Sequence, residues 1–249
     1  AGTLINQWLK IVCRVPRPWV RDPDFTIVES AQAGAGGYSF PSGHTQSAAG
    51  WMGGLARGSR TWGARIFWLV LLLLVAVSRM YLGVHTPADV GVSLVVAAAL
   101  VFLMYPLIDS TLWFPNRMYL VIGVLMALSF AFVGFVELYP FPADIDSANL
   151  AAAVGNAYKM AGAVTGILVV YAFDSKMLQF STRAPWWGQA VKLAGGLVFV
   201  VAVKTLLKAP LLTLCGGHPA ADAIRYLVIV LAAGCVWPMT FPFFERYAR

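Results

Sequence analysis

Long apolar runs separated by short polar junctions fill this chain from Gly43 to its end. Crossing the apolar core of a bilayer takes about 20 residues of helix. Runs of that kind cover residues 43–58, 64–82, 87–108, 117–139, 150–173, 187–208 and 221–243, which predicts seven spans. The first is short and rich in Gly and Ala, a composition suited to close packing between helices rather than to lipid contact. The fourth is the cleanest, with no charge between Met118 and Glu137. Pro106, Pro140, Pro142, Pro185 and Pro219 fall at the junctions, where helices are expected to stop or start. The pattern predicts an all-α fold, a polytopic transmembrane helix bundle. Residues 19–41 form the longest polar stretch, with Gly34, Gly36 and Gly37 near its end. They predict a loop over a site, its glycines letting backbone approach a ligand. Trp19 and Tyr38 suit the membrane surface.

Composition strengthens this picture. Of 249 residues, 59% are apolar and 12% charged, against roughly a quarter charged in soluble domains. The chain therefore reads as an integral membrane protein. Its net charge of +7 does not point to nucleic acid, because basic residues of membrane proteins gather in cytoplasmic loops. Cys13, Cys215 and Cys235 are scattered, with neither disulfide nor zinc spacing, and read as small packing residues. No signal peptide is visible.

The chemistry sits in the first 90 residues. Lys10 and Arg17-Pro18 give K-x6-R-P, Pro41-Ser42-Gly43-His44 gives P-S-G-H, and Ser78-Arg79 with His85 and Asp89 gives S-R-x5-H-x3-D. Three cations, two histidines and one carboxylate are what metal-free phosphoryl transfer through a histidine needs. Phosphate oxygens call for fixed positive charge, phosphorus for a nucleophile and the leaving oxygen for a proton. Lys10 and Arg17 share a helical face if the segment stays helical to Pro16. Arg79 comes from the end of another helix and offers bidentate contacts. Ser42-Gly43-His44 opens a helix, where free N–H groups form an anion site, with Ser42 also suited to the N-cap. His44 stands beside the bound group, placed to protonate a departing alkoxide. Thr86, Pro87 and Asp89 fit a helix start with capping-box spacing. Asp89 is also placed to reach back to His85 and hold one ring N–H, which leaves the other nitrogen aimed at phosphorus.

Together these three blocks resemble the signature of the type 2 phosphatidic acid phosphatase (PAP2) family, which includes vanadium haloperoxidases. The resemblance covers roughly residues 1–140 and implies a PAP2-like catalytic core, with residues 141–249 as additional helices of the same membrane domain. It implies that His85 is the nucleophile, forming a phosphohistidine, that Asp89 orients it, and that His44 is the general acid that later activates water. Lys10, Arg17, Ser42, Gly43 and Arg79 match phosphate-binding positions. No metal or other cofactor is implied, and no carboxylate cluster suited to one is visible. In the family further spans precede the first motif, so the chain looks trimmed at its N-terminus. The three extra spans resemble longer branches such as sphingosine-1-phosphate or glucose-6-phosphatases. The implied activity is hydrolysis of a lipid phosphomonoester or diphosphate, the partners being a phosphorylated lipid and the bilayer. A lipid phosphotransferase uses the same motifs. A non-catalytic transporter or scaffold would normally have lost a histidine, and the haloperoxidases are soluble.

Parity of the spans puts all three blocks on one face. The opposite turns carry Arg57, Arg60, Arg65, Arg117, Lys176 and Arg183, and the tail adds Arg246 and Arg249, so the positive-inside rule predicts an extracytoplasmic catalytic face. Farther on, His218 and Asp222 repeat the H-x3-D spacing without the arginine, a chance helix-start pattern. Lys159 fits an interfacial position if its span begins near Tyr158, and Glu137 could pair with Lys159 or Arg225.

Overall fold

A computed structural model describes residues 1–111, 114 and 116–247, and every regular element among them is helical. Arg249, counted above with the basic tail, lies outside the described residues. The chain forms two compact units, one of residues 1–118 with 139–153 and one of residues 119–138 with 154–249.

In the first unit, α1 (Gly2–Cys13) ends where Arg14 takes a left-handed conformation, φ 48°. The loop that follows contains two single turns, α2 (Pro18–Arg21) and α3 (Glu29–Gln32). Then come α4 (Gly43–Gly58), α5 (Trp62–Tyr81) and α6 (Pro87–Thr111). α4 packs on both α5 and α6, and α1 packs on α4 and α6. Small residues let α4 sit this close: Ala49 meets Leu72 of α5 and Ala97 of α6 in the core. The loop is tied to the α5–α6 turn, where Val28 N–H donates to Leu82 O at 3.3 Å. Gly83 completes that contact. Its φ is +71°, and a Cβ there would lie 2.8 Å from Thr26 O, so only glycine fits the turn beneath the loop.

The second unit contains α7 (Asn116–Leu138) from residue 119 on and α8 (Ser147–Phe173) from residue 154 on. It continues with α9 (Trp186–Leu206), α10 (Lys208–Leu214), α11 (Ala220–Leu231) and α12 (Phe241–Glu245). Gly162 and Gly166 of α8 take the backbone and side chains of α11 against them: a Cβ on Gly162 would lie 2.0 Å from Ala223 O. The Trp237 ring covers Gly195 and Gly196 of α9, and its Nε1–H donates to Lys192 O at 3.0 Å. Asp222 is shared by Arg225 NH2 at 2.6 Å and Lys159 Nζ at 3.6 Å. Asp222 therefore takes both cations considered above for Glu137, which hydrogen-bonds Tyr158 instead.

Several expectations are corrected. Six helices among the described residues are long and apolar enough to cross a membrane, not seven. The run 43–58 does form a helix, but its 16 residues are about 24 Å long at 1.5 Å per residue. Pro106 lies inside α6 rather than at its end, and α8 begins at Ser147, well before Tyr158. Tyr38 is buried, not interfacial, and Cys13 is exposed rather than packed.

The close α8–α11 approach yields a prediction. Gly162→Ala should destabilise the detergent-solubilised protein by roughly 1–3 kcal/mol, because the facing backbone of Ala223 must move. Gly134→Ala, with nothing within 4 Å of the new methyl, should not lower the unfolding temperature and should raise it slightly, since alanine is the better helix former. Thermal unfolding of the two variants side by side checks this.

Candidate active site

α1 delivers Asn6 and Lys10, one turn apart on the face that packs against α4. Both are buried. Asn6 Nδ2–H donates to Pro41 O at 3.2 Å and to Gln46 Oε1 at 2.9 Å, while its Oδ1 is buried with no partner among the described residues. Lys10 Nζ donates to Tyr38 O and Ser39 O of the loop. Burial, and then the charge of Arg17, pushes the Lys10 ammonium down to about 7.

Arg17 does not share a helical face with Lys10, because α1 stops at Cys13 and the chain turns at Arg14. An extended segment brings it in instead. Its Nε–H and NH2 donate to Gly37 O at 3.0 Å and Gly36 O at 2.9 Å. Its NH1 donates to Val84 O at 2.9 Å and lies 3.1 Å from His85 Nε2. The glycine loop thus approaches the site through its carbonyls, which hold the two cations.

Two helix starts meet at Asp89. Thr86 N–H donates to Asp89 Oδ2 at 2.8 Å and Asp89 N–H donates to Thr86 Oγ1 at 3.3 Å, the reciprocal capping expected from the spacing. The same Oδ2 accepts from Ser39 Oγ at 2.6 Å and lies 3.4 Å from His85 Nδ1. The Asp89 carbonyl accepts from Ser42 N–H at 3.1 Å and Ser93 Oγ at 2.7 Å. Ser42 caps α4, its Oγ accepting from Thr45 Oγ1 at 3.0 Å and Thr45 N–H at 3.4 Å. These bonds fix the start of α4, with Gly43 and His44, against the start of α6.

The geometry decides the His85 tautomer. A guanidinium only donates, so Nε2 beside Arg17 is the acceptor and the ring proton sits on Nδ1, facing Asp89. Burial first, helped by the charges of Arg17 and Lys10 and opposed by Asp89, pushes His85 down to about 4. The ring is neutral at physiological pH and its Nε2 lone pair is intact.

Lys10, Arg17, Gly43, His44, Arg79 and His85 line one cavity of about 330 Å³, together with Asn6, Gln46 and the Gly34–Gly36 backbone. Arg79, in the last turn of α5, has its Nε buried and without a partner among the described residues. Ser42 and Asp89 are fully buried and do not line the cavity. Among the described residues no three His, Cys, Asp or Glu side chains come together as a metal site. Asn6, Gln46 and Ser39 were missed from sequence. Asn6 lies four residues before Lys10, a spacing that places both on one helical face. Ser39 sits in irregular loop, where no period signals its role.

Comparison with known proteins gives a consistent result. The PAP2 superfamily model matches residues 1–113. A model described as PAP2 superfamily phosphatase, transmembrane extension, matches residues 158–249. The chain is 34% identical over 111 residues to undecaprenyl-diphosphatase BcrC of Bacillus subtilis (strain 168), covering 44% of this chain and 53% of that protein. The chain thus spans about half the length of the curated relative it matches. No solved structure matches.

A cavity lined by Lys10, Arg17 and Arg79 should take an oxyanion, and Lys10 should make its affinity depend on pH. Below about 7 the Lys10 ammonium is present; above it the free protein loses that charge. Sulfate keeps both its charges over this range. Its dissociation constant should be flat below pH 7 and rise by up to about tenfold per pH unit above it. Lys10→Met should bind sulfate more weakly throughout and show no step. Calorimetric titration across pH measures both: a wild-type profile flat through pH 8 would show that the Lys10 ammonium is not depressed, and wild-type affinity in Lys10→Met would remove Lys10 from the anion site.

Proposed function

Because the chain belongs to the PAP2 superfamily, we propose that it is a membrane phosphatase hydrolysing a lipid phosphomonoester or diphosphate through a phosphohistidine on His85. The observation that carries this reading is the arrangement of the imidazole. Nδ1–H faces Asp89, and Nε2 carries a lone pair toward a cavity lined by three cations. The relative's name, an undecaprenyl-diphosphatase, favours a polyprenyl diphosphate as the first substrate to test.

The residues divide the work as follows. Arriving phosphate takes NH1 of Arg17 from His85 Nε2, which frees the lone pair as it screens the guanidinium. Lys10, Arg79 and the N–H groups at Gly43 hold the equatorial oxygens, where charge accumulates. His85 Nε2 attacks phosphorus, forming N–P as the P–O bond to the lipid, or to its inner phosphate, breaks. His44 gives its proton to the leaving oxygen. It then takes a proton from water, whose oxygen attacks phosphorus, and N–P breaks to release phosphate. Asp89, held by Ser39 and Thr86, keeps the Nδ1 proton in place while the ring is phosphorylated. Ser42 acts through the start of α4, which it caps. The catalytic core takes residues 1–140, and residues 141–249 complete the membrane domain. No metal enters the scheme.

The catalytic face is extracytoplasmic in this reading. Arg57, Arg60 and Arg65, at the other end of α4 and the start of α5, support that orientation. A variant keeping Cys13, exposed at the end of α1, as its one cysteine should react with a membrane-impermeant maleimide in intact cells. Reaction only after lysis would invert the topology.

Phosphate release in detergent, with chelator present, should be seen with a polyprenyl diphosphate, phosphatidate or a sphingoid phosphate. His85→Ala should abolish it, and Asp89→Asn should lower kcat by roughly 10²–10⁴, as loss of the tautomer-holding carboxylate does elsewhere. Ser39→Ala should cost about tenfold, the worth of one good hydrogen bond. Full activity in His85→Ala, or its loss on chelation, would overturn the mechanism. Label passing to an added lipid alcohol rather than to water would make the protein a transferase.

A further inference from the structure

The end of the α4–α5–α6 trio remote from His44 and His85 encloses a second cavity, of about 570 Å³. Its walls are apolar, formed by Leu69, Leu72 and Leu73 of α5, Leu94 and Val101 of α6, and the small residues of α4. Two charged groups line it, Arg57 and Arg65. The Arg57 guanidinium lies over Phe102 at 5.0 Å and Tyr105 at 4.6 Å, and Arg65 lies over Trp62 at 5.2 Å. Arg65 Nε–H donates to Ser59 O at 3.0 Å. Neither arginine makes an ion pair among the described residues, and no acidic residue stands between positions 55 and 65, where Arg60 adds a third cation.

The combination selects one kind of occupant. An apolar groove between membrane helices is filled by hydrocarbon, and guanidiniums at its mouth, seated on aromatic faces and without an ion pair among the described residues, attract an anion. Free phosphate satisfies the arginines but leaves the groove unfilled. A zwitterionic lipid brings its own cation to a site already positive. We propose that this groove binds an anionic phospholipid, its phosphodiester across Arg57 and Arg65 and one acyl chain along Leu69, Leu73 and Val101. The site is independent of the catalytic reading. The lipid bridges the three helices whose opposite ends carry His44, Arg79 and Asp89, and so it stabilises the unit that holds the first cavity.

Native mass spectrometry of the full chain, with thermal unfolding in detergent, tests this with phosphatidylglycerol, phosphatidylcholine and glycerol phosphate. Wild type should retain one phosphatidylglycerol and gain thermal stability from it, with phosphatidylcholine and glycerol phosphate far weaker. Arg57→Gln/Arg65→Gln should lose affinity for phosphatidylglycerol by roughly ten- to thirty-fold, the worth of two cations near a lipid surface. Ala98→Phe, which fills the groove and leaves both arginines in place, should lose it too while unfolding at the wild-type temperature without lipid. Arg17→Gln should bind phosphatidylglycerol as wild type does. Equal retention of the two lipids, an unaffected double variant, stabilisation by glycerol phosphate alone, or loss of binding in Arg17→Gln would each overturn the proposal.

Discussion

Asp89 Oδ2 accepts Ser39 Oγ–H at 2.6 Å and Thr86 N–H at 2.8 Å with His85 Nδ1 at 3.4 Å, while the residue's own carbonyl holds Ser42 N–H and Ser93 Oγ. The loop before α4, the start of α4, the turn after α5 and the start of α6 are therefore all referred to one buried residue. These bonds gather at the starts of two helices, where N–H groups are free to be claimed and the helix dipole favours a carboxylate. A shift of any of these segments would break several bonds at once. That is why the imidazole, which a single hydrogen bond could not orient, has one tautomer here.

Around this node the site is built with more positive charge than it neutralises. Lys10, Arg17 and Arg79 line the cavity, and Asp89 is the one carboxylate bonded into it. Burying cations costs free energy unless something solvates them. In the free protein the backbone does so: the carbonyls of Gly36, Gly37, Tyr38 and Ser39 take the donors of Arg17 and Lys10. On the proposed function, an arriving oxyanion competes for those same donors, so the loop at residues 34–39 and the substrate are alternatives for one set of positive groups. Burial and the charge of Arg17 still hold the Lys10 ammonium well below its ordinary value. On the proposed function, a dianion brought to Lys10 restores the charge that burial removes and so contributes to binding.

Much of this was legible before any coordinates. The three spaced motif blocks marked Lys10, Arg17, His44, Arg79, His85 and Asp89, which residue type alone could not single out among 18 cations and 11 carboxylates. The capping spacing of Thr86 and Asp89 marked a helix start that the structure contains. What stayed hidden depends on tertiary geometry. Helical spacing suggested that Lys10 and Arg17 shared a face, yet the chain breaks at Arg14 and they converge through a turn. Ser39 lies in irregular backbone, and only the folding of the loop onto α6 brings its hydroxyl to Asp89. Gly83 carries no chemical signal, and its φ of +71° under Thr26 is what lets that loop dock. Apolar length overstated the run 43–58, since hydropathy does not register that a small-residue helix between two others can be short.

That shortness bears on which substrates reach the site. An apolar slab of about 30 Å cannot be crossed by a straight helix of about 24 Å with both ends in water. On the reading that puts Arg57 at one edge of the apolar core, Gly43 and His44 lie roughly 6 Å inside the other. On the proposed function, a lipid already at the bilayer surface reaches that position by lateral diffusion, whereas a soluble phosphate ester would have to leave water to arrive there. The loop beside the cavity is fastened at Val28 and Ser39. On the proposed function, the same construction that gives α4 its close contacts, Gly and Ala facing its neighbours, favours an amphiphile over a free sugar phosphate.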